Sequence, residues 1–130
     1  MEQLANHDVS RALQTARILV VEDNFLILME LESALTDAGV ESVWACRTVG
    51  EALRALDEQD VTAAILDVQL DRETSVPVAH RLAERGVPFV FYTARLDLDA
   101  IHAEWPDCTI LPKPAERHTI VATMNGLLAP

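Results

Sequence analysis

Short, continuous runs of apolar residues alternate along the chain with segments in which apolar residues recur every three or four positions. Continuous runs are typical of strands covered on both faces, and the periodic segments are typical of amphipathic helices. The predicted strands are residues 17–21, 41–46, 61–66, 89–93 and 109–111, and the predicted helices are 24–38, 48–59, 77–86, 95–105 and a final one through 128. Because right-handed crossovers join such units, the pattern predicts a doubly wound, five-stranded parallel α/β sheet with helices on both faces.

Capping residues mark several of the helix boundaries. Asp23 or Asn24 is an N-cap candidate for the first helix, and Gly39 follows its end. The segment Thr48-Val-Gly-Glu51 matches a capping box ahead of the second helix, and Gly86 marks the end of the third. We therefore expect helices with defined ends around one core.

Length and charge limit the class of protein. A chain of 130 residues predicts one domain, here residues 16–130, preceded by a tail over residues 1–15 that is either weakly helical or loose. The net charge of −11 argues against nucleic acid or an anionic membrane as the main partner. The chain has no apolar run of the ~20 residues that span a bilayer and no secretory signal, so we expect a cytoplasmic location with Cys46 and Cys108 reduced.

Polar residues follow four of the predicted strands. Glu22 and Asp23 follow the first, Asp67 the third and Lys113 the fifth, while Thr93 ends the fourth. The carboxyl ends of parallel strands share one edge of the sheet, where α/β proteins bind ligands. Each residue alone is explained as well by a helix cap or a solvated lysine. Their joint placement at one edge predicts a site.

The residue types at this edge favour phosphate chemistry with a magnesium ion. Three carboxylates in one crevice repel each other, and a hard divalent cation such as Mg²⁺ removes that cost. Charges of about −3 from the acids, +2 from the ion and +1 from Lys113 sum to roughly zero. An aspartate can act as a nucleophile to form an aspartyl phosphate, so Asp67 is the candidate acceptor.

Four motifs together resemble the receiver domain of two-component response regulators over residues 16–130: Val21-Glu22-Asp23-Asn24, Ile65-Leu66-Asp67-Val68, Tyr92-Thr93-Ala94 and Leu111-Pro112-Lys113-Pro114. The resemblance implies a flavodoxin-like sheet with strand order 2-1-3-4-5. It also implies that Asp67 takes a phosphoryl group from a sensor histidine kinase.

The resemblance assigns a role to each site residue. Asp23, Asp67 and the backbone carbonyl of Gln69 would hold Mg²⁺, and Glu22 would reach the ion through water. Lys113 and Thr93 would contact the phosphoryl oxygens. The resemblance further implies a cis peptide bond between Lys113 and Pro114.

The sequence also departs from the family pattern. Ile110 stands where an aromatic switch residue is common, so the usual coupling to Thr93 is in doubt. Tyr92 is either a substitute for that residue or a packed strand residue. Asp71 and Ser75 replace a common proline and glycine in the loop after Asp67. The segment Gly86-Val-Pro-Phe-Val-Phe resembles receivers that work with HWE-family histidine kinases.

Three functions remain open at this stage. A phosphoacceptor would signal by contact with a downstream protein or a phosphotransfer protein. The resemblance implies that the fourth helix, fifth strand and fifth helix, residues 95–128, would form that contact or a homodimer. An adaptor would keep the fold and signal without phosphate. A magnesium-dependent phosphohydrolase is disfavoured because Gln69 stands where such enzymes use a second acid. We therefore expect self-phosphorylation and slow autodephosphorylation, and no other enzymatic activity.

Overall fold

The computed structural model describes residues 12–95 and 97–129. The strands are β1 (Arg17–Val21), β2 (Ser42–Cys46), β3 (Ala63–Leu66), β4 (Phe89–Thr93) and β5 (Thr109–Pro112). The helices are α1 (Phe25–Asp37), α2 (Val49–Glu58), α3 (Val76–Glu84), α4 (Asp99–Glu104) and α5 (Arg117–Leu128). Most of the predicted tail lies outside the described residues. Its last part is helical at residues 12–14, and Leu13 is buried in the core.

The five strands form one parallel sheet in the order β2-β1-β3-β4-β5, which confirms the predicted fold. All four residues of β3 are buried, as are four of the five in β1, because helices cover both faces of the sheet. Alternate strand residues therefore enter two separate cores. We call them the α2/α3 core, which contains Leu66 and Phe91, and the α1/α5 core, which contains Ile65 and Tyr92.

Several helix ends lie where capping chemistry places them. The Asn24 side chain accepts a hydrogen bond from the Ile27 N–H at the start of α1, and Thr48 does the same for Glu51 at the start of α2. Gly39 has a φ of +95° just beyond α1, and Gly86 has a φ of +68° just beyond α3. Glycine adopts this left-handed conformation without the steric cost of a Cβ atom, so each helix can end there and the chain can turn toward the next strand.

The predicted extent of the fourth helix is wrong at its start. The helix was expected from Arg95, but α4 begins at Asp99. The Arg95 N–H donates to the Thr93 side chain, and the Asp99 N–H donates to the side chain of Asp97. These local side-chain acceptors satisfy the backbone in a turn and compete with helix formation. Within the described part of the chain, no helix is long and apolar enough to cross a bilayer.

Candidate functional site

The sheet places the predicted site residues at one edge. Backbone hydrogen bonds continue the ladder just past the strands: Glu22 N–H donates to Cys46 O, and Asp67 N–H donates to Val21 O, both at 2.9 Å. Lys113 N–H donates to Thr93 O at 3.1 Å. The positions of Glu22, Asp67 and Lys113 are therefore fixed by the same bonds that hold the strands together.

Three carboxylates converge at this edge. Glu22, Asp23 and Asp67 each offer an oxygen atom, and these atoms lie within 4.8 Å of one another. Glu22 is 1% exposed and Asp67 is 8% exposed, while Asp23 is partly exposed to solvent. The cluster thus has two buried members and one that opens to the outside.

Lys113 provides the positive charge inside this cluster. Its Nζ atom lies 2.5 Å from Glu22 Oε1 and 2.9 Å from Asp67 Oδ2. The lysine side chain is only 12% exposed, so both ion pairs are largely shielded from water. Such charge-assisted bonds are shorter and stronger than neutral ones. Lys113 therefore bridges the end of β1 and the end of β3.

Burial and charge shift the pKa values of Glu22 and Lys113. Burial raises the pKa of Glu22 above its ordinary value, and the charge of Asp67 adds to the rise, although hydrogen bonds from Lys113 and the Asn24 N–H oppose it. Burial alone would lower the pKa of Lys113, but its bonds to Asp67 and Glu22 outweigh that effect and raise it. One cation therefore compensates the acids only in part.

The loop that carries Glu22 and Asp23 is held from two sides. Glu22 Oε2 accepts the Asn24 N–H at 3.0 Å. The Arg47 guanidinium, at the end of β2, donates to the backbone carbonyl of Asp23 from Nε at 3.3 Å and from Nη2 at 3.1 Å. Arg47 is not among the predicted site residues, since nothing in the local pattern links it to a residue 24 positions away.

An open pocket lies beside Asp67. Its volume is about 280 Å³, and it is lined by Asp67, Gln69, Thr93, Ala94, Arg95 and Lys113. Thr93 is 2% exposed, and its Oγ1 atom accepts the Arg95 N–H at 3.2 Å. The Arg95 guanidinium reaches Gln69 Oε1 at 3.4 Å across the mouth of the pocket. The pocket can admit a small anion next to the Asp67 carboxylate.

The loop after Asp67 is tied to the start of α2. The Glu73 carboxylate accepts the Val49 N–H at 3.0 Å, and the Glu73 carbonyl accepts bonds from the Leu70 N–H and the Gln69 side-chain amide. Glu73 is not among the predicted site residues. A carboxylate at a helix N-terminus is stabilised by the free N–H groups there, so this contact has a clear physical reason.

The two other predicted switch residues lie on opposite sides of the sheet. Ile110 is partly buried against the α2/α3 core, opposite Phe91 in the β4–β5 register. Tyr92 is 5% exposed in the α1/α5 core, and its hydroxyl oxygen accepts the Ala115 N–H at 3.0 Å. Tyr92 is therefore packed with its ring directed into that core.

The donor set fits a magnesium ion. Three carboxylates with one lysine leave an excess of negative charge, and Mg²⁺ prefers oxygen ligands of this kind. The Gln69 side-chain N–H groups donate within their own loop and its Oε1 faces Arg95, so any metal ligand from this residue would be its backbone carbonyl. The Lys113–Pro114 peptide is cis, as the resemblance implied.

Comparison with known proteins identifies relatives of the chain. The family model described as response regulator receiver domain matches residues 18–125. SdrG from Sphingomonas melonis Fr1 is 38% identical, with 89% of this chain and 98% of that chain covered and a TM-score of 0.75. A beryllofluoride-activated SdrG structure, described as from Pseudomonas melonis Fr1, is 38% identical, with 87% and 96% covered and a TM-score of 0.72.

Two further solved structures are similar. The response regulator PhyR from Brucella abortus is 26% identical, with 96% of this chain covered and a TM-score of 0.76; this chain spans only 53% of it. A CheY-like receiver from Methanospirillum hungatei JF-1 is 22% identical, with 88% and 94% covered and a TM-score of 0.76, and supports the fold alone. Among curated protein sequences no match was found.

Proposed function

Since this chain belongs to the family of response regulator receiver domains of two-component signalling, we propose that Asp67 accepts a phosphoryl group from a sensor histidine kinase. The observation that carries the proposal is the contact between Lys113 Nζ and Asp67 Oδ2 at 2.9 Å, beside an open pocket. This contact holds a positive charge next to the carboxylate that would bind the negatively charged phosphoryl group.

The reaction is a transfer between two nucleophiles. A carboxylate oxygen of Asp67 forms a bond to phosphorus while the bond between phosphorus and the kinase's histidine nitrogen breaks, and the imidazole leaves with that electron pair. Lys113 then exchanges part of its contact with Asp67 for a phosphoryl oxygen. Thr93 lines the same pocket, and its hydroxyl can donate to another oxygen. Preorganised donors of this kind stabilise the charge spread over the transferred group.

Mg²⁺ is the proposed cofactor. Asp23, Asp67 and the backbone carbonyl of Gln69 would hold it, and Glu22 would reach it through water. The ion would neutralise charge on Asp67 and on the phosphoryl group. The remaining excess of acid over Lys113, and the raised pKa of Glu22, support this assignment.

The proposed output is protein contact without catalytic turnover of small phosphate esters. Gln69 lies two residues beyond Asp67 and has no carboxyl group to act as a general acid or base, so hydrolysis of the aspartyl phosphate would be slow. The face formed by α4, β5 and α5 is the proposed contact for a downstream protein, a phosphotransfer protein or a second copy. HWE-family kinases are the proposed donors.

Incubation with acetyl phosphate and Mg²⁺, followed by intact mass measurement, tests the proposal. We expect one added phosphoryl group in wild type, none in Asp67→Asn, and the wild-type result in Asp71→Asn. Asp71 is the matched control because it is an exposed aspartate in the same loop. An unchanged wild-type mass, with transfer from a panel of kinases also absent, would favour the adaptor function.

A further inference from the structure

We propose that Tyr92 is a positioning residue that fixes Lys113 at the site through both its hydroxyl group and its ring. The inference rests on the proposed function, because the task of Lys113 there is to meet the phosphoryl group on Asp67. It assigns a role to a side chain that lies in the α1/α5 core and outside the lining of the pocket.

The first observation is a two-point attachment of the segment 113–115 to β4. The Lys113 N–H donates to the backbone carbonyl of Thr93, and the Ala115 N–H donates to the hydroxyl oxygen of Tyr92. Two neighbouring residues of one strand thus hold both ends of the segment that carries the lysine. The hydroxyl bond is the side-chain part of this attachment, so it depends on the identity of residue 92.

The second observation concerns the lysine side chain. The Nζ atom of Lys113 lies 5.6 Å from the centroid of the Tyr92 ring. A cation at this distance from an aromatic ring is attracted by the negative charge of the ring face, and the attraction is stronger where water is excluded. Tyr92 is 5% exposed and Lys113 is 12% exposed, so the contact is shielded.

The position of Tyr92 is fixed by strand pairing and by core packing. β4 is paired with β3 on one side and β5 on the other, and Tyr92 lies opposite Leu111 in the register. The ring is packed among buried side chains of the α1/α5 core. A side chain held in this way has few rotamers available, so it can fix a neighbouring loop at little entropic cost.

Tyrosine and phenylalanine differ here in one specific respect. Tyr92→Phe keeps the ring and its packing but leaves the Ala115 N–H without its acceptor. Thr62→Val is a matched control at the opposite edge of the sheet, because it also removes a side-chain acceptor of a backbone N–H, that of Arg17. Tyr92→Phe loses one hydrogen bond that joins two segments, and Thr62→Val loses the two that the Thr62 hydroxyl makes with the backbone of Arg17. Only Tyr92→Phe changes a contact of the segment that carries Lys113.

The first test measures the rate of phosphorylation by acetyl phosphate and the affinity for Mg²⁺ in the same variants. In Tyr92→Phe we expect the rate to fall by about two- to tenfold, the range that one neutral hydrogen bond supplies, with Mg²⁺ affinity within about twofold of wild type. Thr62→Val should change neither. In a Lys113→Ala background, adding Tyr92→Phe should cause no further loss, because the residues act through one contact.

If Tyr92→Phe lowered the phosphorylation rate equally in the presence of Lys113 and in the Lys113→Ala background, the positioning role would be overturned and the proposed function would stand.

A second measurement does not depend on phosphorylation. The chain contains one lysine and one tyrosine, so a protein labelled with ¹³C at the lysine ε carbon gives an NMR signal from Lys113 alone. We expect a signal displaced by the ring current of Tyr92 in wild type, and movement toward the free-lysine position in Tyr92→Phe. An unchanged signal in that variant would refute the proposal even if wild type were never phosphorylated.

Discussion

Lys113 Nζ is bonded to Asp67 Oδ2 at 2.9 Å across a separation of 46 residues, and the same atom is bonded to Glu22 Oε1. One ammonium group therefore serves two buried acids, with a third acid beside them. Removing a partner from a buried charge cluster costs more than removing an exposed ion pair, because the remaining charges lose their compensation.

Glu22→Gln should alter the dependence of stability on pH. The folded-state pKa of Glu22 is raised, so its contribution is fully present below the unfolded pKa and is lost as pH rises through the folded value. We therefore expect the free energy of unfolding of wild type, relative to Glu22→Gln, to fall as pH rises above about 4.5. Urea unfolding across this range measures the difference, and a difference that rises with pH would contradict the assignment.

Mg²⁺ should stabilise the fold through the acid cluster. At a free concentration ten times its dissociation constant, a ligand that binds only the folded state adds about 1.4 kcal/mol. We expect this gain in wild type, measured by urea unfolding with and without the ion, and its loss in Asp23→Asn. An equal gain in both proteins would show that the ion binds elsewhere.

Arg47→Met should weaken Mg²⁺ binding although Arg47 is not a ligand. Its guanidinium holds the backbone carbonyl of Asp23, and residues that orient metal ligands commonly contribute about tenfold in affinity. Isothermal titration of the variant measures the effect. Arg54→Met, which removes an exposed arginine of α2, is the control and should bind the ion as wild type does.

The two cysteines should react with a maleimide reagent at different rates. Burial raises the pKa of Cys46 to about 11, so about one molecule in a thousand carries the thiolate at pH 8. Cys108 is partly exposed at the start of β5. We expect mass spectrometry to find label on Cys108 first and on Cys46 only in denaturant, with Cys108→Ser unlabelled in the native state. Fast labelling of native Cys108→Ser would contradict the burial of Cys46.

Phe91→Ala should lower the free energy of unfolding much more than Leu26→Ala does. Phe91 is fully buried and contacts the rings of Phe89 and Trp105, so truncation should cost about 3–5 kcal/mol of unfolding free energy. Leu26 on α1 is 71% exposed, and Leu26→Ala should change stability by less than about 0.5 kcal/mol. Similar losses in the two variants would contradict the assignment of the core.

The sequence predicted the fold and most of the site because both depend on local pattern. Strands covered on both faces have unbroken apolar runs in the sequence. A parallel sheet brings the residues that follow those runs to one edge. Asp67 and Lys113 were identified in this way, and Thr48 and Gly39 were identified by capping chemistry alone.

Two of the missed features, the contacts of Arg47 and Glu73, depend on residues far apart in sequence. Arg47 reaches Asp23, and Glu73 reaches Val49, but neither pair has a spacing that a helix or strand would impose. The start of α4 was misplaced because Thr93 and Asp97 offer side-chain acceptors that only the folded turn brings into position. The periodicity of apolar residues indicates which face of a helix or strand is buried, but it does not indicate which loop will contact that element.

The placement of Lys113 determines how this protein can be attached to a biosensor surface. Amine-directed coupling that consumes the lone lysine would destroy the ion pairs with Glu22 and Asp67 and block the pocket. Cys108 lies before β5, at the end of the sheet away from the pocket, and is partly exposed. Tethering through its thiol would therefore leave the carboxylate cluster, Lys113 and the pocket facing the solution.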